Sequence, residues 1–233
     1  MSARERGTSR VFRRRAFDAW MSLGGLLAFS AAAVVAHGGR VGPAERAVFR
    51  AVNGLPEWLS PPMVALQYLG TLVVGPLVAV AAAVLRRWRL AGAAAAATVL
   101  KLVAERLVKM VVHRQRPGTT VPGAILRGDV PPRGFAFVSG HVVLVGALAA
   151  VVTPYLRGRW KVVPWIVVAA VGFGRVYLGA HDPLDVVGGL GLGFAIGGGL
   201  NLALGVPDTP TAAGPGQPAT GSDLDPTLRG ERG

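Results

Sequence analysis

Apolar residues in this chain come in long runs, and the polar positions between them are few. The runs fall at about 20–36, 62–85, 91–112, 142–156, 162–174 and 184–204. The longer ones reach the ~17–25 residues that a helix needs to cross a bilayer, and the fourth and fifth approach it. Joined by short polar turns, they predict an all-α integral membrane bundle of six transmembrane helices. A basic segment, 1–19, precedes the bundle at 20–205, and a Pro-, Gly-, Thr- and Asp-rich stretch, 206–233, follows it as a flexible tail. The basic flank of the first run and the small residues before His37 also fit a signal peptide. The further spans that follow at once favour an uncleaved first helix.

Composition agrees with the pattern. Of 233 residues, 52% are hydrophobic and 16% charged, where a soluble domain carries about a quarter charged. The net charge of +13 does not point to nucleic acid, because the arginines cluster in short segments beside apolar spans. With six helices, the N-terminal arginines, Arg86, Arg87 and Arg89, and Arg157, Arg159 and Lys161 share one side, which is expected to be cytoplasmic in the cell membrane. The opposite side then holds 113–140 and the stretch around 175–185. Arg114, Arg116, Arg127 and Arg133 break the charge rule there, and ligand binding is the expected reason. Cysteine is absent, which removes disulfides and thiolate metal sites.

The remaining polar positions concentrate in three places. Lys101, Glu105 and Lys109 are spaced by four on one helix face, an internal ion-paired stripe for the first two. Lys109 lies seven residues before Arg116, where Pro117 should end the helix, with His113 on the helix above Arg116. Next, Ser139 stands at the N-cap position of an apolar helix, with Gly140 and His141 in its first turn. Free N–H groups there make an anion site, although plain capping is an equal reading. Third, "GRVYLGAHDPLD" sets Arg175 and His181 ahead of a helix that Asp182 caps and Pro183 begins. An Asp near a His can fix its tautomer and leave Nε2 free to attack. Hairpin connections bring all three places to one membrane face, so cations, N–H groups, two histidines and a carboxylate converge. Such a cluster suits phosphoryl transfer. Gly189, Gly193 and Gly197, four apart on the last span, serve close packing in the bundle or, as a second reading, a homo-oligomer face.

At "KMVVHRQRP", "VSGH" and "GRVYLGAHDPLD" the sequence resembles the type 2 phosphatidic acid phosphatase (PAP2) family, over about 62–204. The family pattern is Lys-x6-Arg-Pro, Pro-Ser-Gly-His and Ser-Arg-x5-His-x3-Asp. Val138 and Gly174 depart from it, standing for the proline of the second motif and the serine of the third. The resemblance implies a PAP2/chloroperoxidase-like fold with His181 as nucleophile, Asp185 as its support and His141 as acid and base. It implies that Lys109, Arg116, Ser139, Gly140 and Arg175 bind the phosphate. No metal and no cofactor is expected. The implied partner is a lipid phosphate in the membrane: an isoprenyl diphosphate, phosphatidic acid or phosphatidylglycerol phosphate, handled on the extracytoplasmic face. Transfer to an acceptor other than water, and a non-catalytic lipid-binding or transporting protein, are the alternatives.

Overall fold

Long apolar runs do become helices, but their ends and one of their middles are set by packing. The computed structural model describes residues 11–207. In chain order these form β1 (Phe12–Arg13), α1 (Ala16–His37), α2 (Pro43–Asn53), α3 (Ser60–Gln67), α4 (Val74–Val84), α5 (Trp88–Val111), α6 (Pro117–Thr120), α7 (Gly140–Val152), α8 (Val163–Tyr177), α9 (Pro183–Leu204) and β2 (Val206–Pro207). Short 3₁₀ turns at Glu57–Leu59, Tyr68–Gly70, Thr153–Tyr155 and Gly158–Val162 adjoin α3, α7 and α8.

Among the described residues, three helices are long and apolar enough to cross a membrane: α1, α8 with the turn before it, and α9. The expected span 62–85 is broken instead, its two halves meeting at 59°. The break has a packing cause. A Cβ on Gly70 would lie 2.7 Å from the His141 ring, so the chain turns where that imidazole packs. Counted as one span, the broken pair makes a fourth. α5 has 24 residues, about 36 Å at the helical rise. It carries Arg89, Lys101, Glu105, Arg106 and Lys109, which take it outside an apolar window. α7 is short but apolar on every side, and nearly all of it is buried. That is the mark of a core helix. It packs against α5, α8 and α9, and α1 packs along α9.

Glycine sets how close α9 comes to its neighbours. A Cβ at Gly193 would lie 2.8 Å from the Val143 carbonyl oxygen, and one at Gly189 would lie 2.9 Å from that of Ser139. Gly197 likewise meets Ala150 and Ala147. The four-residue stripe is therefore covered by α7 within the chain, and that face is not open to a second copy. On the other side, Gly191 and Gly198 admit α1, where Asp18 is fully buried between Arg15 and Asn201.

Both end segments differ from expectation. Val206 and Pro207 pair antiparallel with Arg13 and Phe12, so the tail begins with a strand, and residues 16–19 belong to α1. The rest of the expected N-terminal segment, 1–10, and of the tail, 208–233, lies outside the described residues. The first loop holds α2, a helix the apolar-run reading passes over. Its Phe49 packs with Val41, Val121 and Val176.

α5 and α8 run against α7 and α9, which sorts the charges. Arg87 donates to the Tyr155 carbonyl and Arg89 to that of Leu204, gathering the basic turns at the end where β1 and β2 pair. The C-terminal ends of α5 and α8 and the N-terminal ends of α7 and α9 meet at the opposite end.

Candidate active site

α5 stops at Val111, five residues before Arg116, and the chain continues extended. His113 is therefore not on the helix; its ring lies against that of Phe135 at a tilt of 52°, with centroids 5.0 Å apart. Arg116 has extended backbone angles before Pro117, as the sequence predicts, and its N–H donates to the Gly134 carbonyl at 3.1 Å. Its guanidinium donates to the Ala180 carbonyl at 3.0 Å, which fastens the first segment to the third.

The second segment is held by the third. The Ser139 N–H donates to the Asp185 carbonyl at 3.0 Å. Ser139 occupies the N-cap position, but its hydroxyl makes no capping bond and is buried without a partner. Of the two readings the sequence allows, simple capping is the one this geometry does not support. Val138, in the place of the family's proline, is fully buried and packs with Phe137, Val143 and Leu192.

The C-terminal end of α8 wraps over its last turn. The N–H groups of Ala180 and His181 both donate to the Arg175 carbonyl, at 3.0 and 3.2 Å. His181 is 2% exposed, so its ring has little water to support a positive charge. Burial first, then the Arg175 and Arg116 charges, hold its pKa well below the ordinary value and keep the ring neutral. Its Nδ1 lies 3.5 Å from Asp185 Oδ2, without the alignment of a hydrogen bond. The same Oδ2 accepts the Asp182 N–H at 3.0 Å. The Arg175 Nε is also buried without a partner. Each of the second and third segments thus presents an unsatisfied polar atom, which native proteins rarely bury without reason.

Lys109 meets the cluster through Glu105, whose carboxylate accepts from it at 2.5 Å. His181 is within electrostatic reach of Lys109, Arg116 and Arg175, and His141 is within reach of Arg175 and His181. All eight residues singled out in the sequence therefore gather at one end of the bundle. The other histidine outside this set, His37, ends α1 and is exposed.

Of three further contributors, sequence reasoning misreads one and misses two. Arg114 is completely buried, with Glu45 Oε2 at 2.6 Å, Asp185 Oδ1 at 3.4 Å and Asp182 Oδ2 at 3.7 Å. Its presence on this face thus has an internal cause, and ligand binding is not the reason. The same holds for Arg127, which meets Glu57, the carbonyls of Asn53, Leu55 and Tyr177, and the Tyr177 ring. Glu45, on α2, also accepts the Leu184 N–H at 2.9 Å, so it braces the start of α9 as well as Arg114. Gln67 is the third. A Cβ at Gly174 would overlap its side-chain nitrogen, so the amide fills the space that the family's serine would take. The regular spacing of Val48, Phe49 and Val52 is the signal that could have located α2; nothing local marks Gln67.

Fold and site together define a helical membrane protein with a cluster of cations and two histidines at one end of its bundle. The PAP2 superfamily profile matches residues 86–204, and the chain belongs to that superfamily. Decaprenylphosphoryl-5-phosphoribose phosphatase of Mycobacterium tuberculosis is 33% identical over 130 residues, which are 55% of this chain and 68% of that protein. The crystal structure of Aquifex aeolicus LpxE aligns with a TM-score of 0.59 at 24% identity, over 64% of this chain and 90% of that one. The first transmembrane PAP2-type phosphatidylglycerolphosphate phosphatase from Bacillus subtilis gives 0.63 at 22%, over 78% and 94%. These two likenesses show the fold.

Proposed function

We propose that this chain is an integral membrane lipid phosphatase that hydrolyses a phosphate or diphosphate monoester of a lipid through a phosphohistidine on His181. The observation that carries the reading is the neutral, buried His181 between Asp185 and the cations of all three segments. Its Nε2 attacks phosphorus while the bond to the lipid oxygen breaks and His141 gives that oxygen a proton. Water then attacks phosphorus, the P–N bond breaks, and His141 takes the water proton. Lys109, Arg116, Arg175, Ser139 and the Gly140 N–H hold the phosphate oxygens, where preorganised donors stabilise the transferring group.

The curated relative's decaprenyl-linked substrate favours an isoprenyl-linked phosphate among the lipid candidates. Purified protein in detergent is expected to release phosphate from at least one of three lipids: an isoprenyl phosphate or diphosphate, phosphatidic acid, or phosphatidylglycerol phosphate. No release from any of them, with a folded protein, would remove the phosphatase reading.

Six membrane crossings are proposed: α1, the bent α3–α4 pair, α5, α7 with its 3₁₀ turn, α8 and α9. The site then faces away from the cytoplasm of a cell-membrane protein. Cysteine is absent from the sequence, so single cysteines carry the label without background. A reagent that cannot cross membranes is expected to label Thr119→Cys and not Arg159→Cys in intact cells, both positions being exposed. The reverse pattern overturns the orientation.

A further inference from the structure

Glu105 is the single acidic side chain on α5, and it points into the cationic cluster. Its two carboxylate oxygens lie 2.6 Å from Lys101 Nζ and 2.5 Å from Lys109 Nζ. A Cβ on Gly140 would overlap the same carboxylate, so Glu105 rests against the first turn of α7. Its charge also acts on Arg116, His141, Arg175 and His181. The other buried carboxylates at this end, Asp182 and Asp185, are engaged by Arg114. Glu105 is shared between Lys101, which lies outside the phosphate-binding set, and Lys109, which belongs to it.

A surface ion pair would need only one lysine and no approach to a helix N-terminus. Here an anion is already bound by Lys109 beside Gly140, two groups assigned to phosphate. A carboxylate and a phosphate oxygen demand the same donors, and two anions in one poorly hydrated site repel strongly.

Resting on the phosphate-site reading above, we propose that Glu105 is a built-in competitor for that site. It weakens the hold on phosphate and so speeds release of the inorganic phosphate product. Glu105 thereby sets the balance between substrate capture and product inhibition.

The test is binding of inorganic phosphate and of orthovanadate to the full chain in detergent, by calorimetry and by inhibition of aryl phosphate hydrolysis. Glu105→Gln keeps the shape and removes the charge. It is expected to bind both anions at least about tenfold tighter, since one unit of pK-scale interaction is tenfold. Glu105→Ser, a second uncharged variant, is expected to tighten binding in the same direction, and serves alone where the Gln variant does not fold. Glu105→Asp keeps the charge and is expected to stay nearer the wild type. Unchanged or weaker phosphate binding in the uncharged variants overturns the inference and makes Glu105 a holder of Lys109. Arg116→Ala separates the two claims. If it binds phosphate as the wild type does, the site reading itself fails. If it loses binding while Glu105→Gln shows no gain, only the role of Glu105 fails.

Discussion

His181→Ala forms no phosphoenzyme and turns over no lipid phosphate above background. The ring is the group whose surroundings suit a nucleophile: buried, neutral, and beside a carboxylate that can fix its tautomer. An alkaline quench, which preserves phosphohistidine, reads the result directly. His141→Ala behaves differently because it keeps the nucleophile and loses the acid. A lipid alkoxide leaves slowly in that variant, whereas an aryl phosphate, whose leaving group needs little protonation, still gives a burst of product. Water activation also suffers, so the labelled intermediate accumulates with the aryl substrate. A phosphoenzyme in His181→Ala, or none in His141→Ala with the aryl substrate, would exchange or remove the assigned roles.

Asp185→Asn and Asp182→Asn should differ by orders of magnitude although the residues are three apart. Asp185 Oδ2 faces His181 Nδ1 at 3.5 Å. An amide there permits the tautomer with its proton on Nε2, which cannot attack phosphorus. By analogy with the Asp of a serine-protease triad, turnover falls on the order of 10⁴-fold. Asp182 is the N-cap of α9, a place that Asn fills about as well. Asp182→Asn therefore keeps most of its activity.

Its effect on stability has a defined pH course. Glu45, Asp182 and Asp185 face one guanidinium, Arg114, so the group retains a proton. Burial, then Asp185, push Asp182 from 3.8 up to about 7. The folded protein holds that proton where the unfolded chain has lost it, so stability from this group is full below about 3.8 and declines up to about 7. Asn lacks the decline, and the unfolding temperature of the variant should gain on the wild type across that window. A constant difference between pH 4 and 7 would show that Asp182 is not the titrating group.

The chemistry was legible in the sequence because it depends on spacing within short segments. Lys109 and Arg116, Ser139 to His141, and Arg175 to Asp185 needed only alternating helices to meet. What escaped the sequence depends on distant partners. Arg114 looks like a ligand-binding arginine until Glu45, 69 positions away, is found beside it. The bend at 68–73 follows from His141 packing over Gly70, and hydropathy sees only an apolar run there. The end of α5 was misjudged for a related reason. Pro117 sets the latest place a helix can stop, while the pairing of Gln115 with Phe135 stops it sooner.

The pairing of Phe12 with Pro207, and of Arg13 with Val206, bears on a quantity that no single helix determines. Two hydrogen-bonded strands cannot lie on opposite sides of a bilayer. The chain that leaves Arg13 must therefore return to the same side by Val206, and the number of crossings between them is even. Parity rules out a bundle in which only the three most apolar helices cross, and equally one of five. The six proposed crossings satisfy it, and so would four. An odd count inferred from reporter fusions would mean that a helix had been misassigned, whatever its hydropathy.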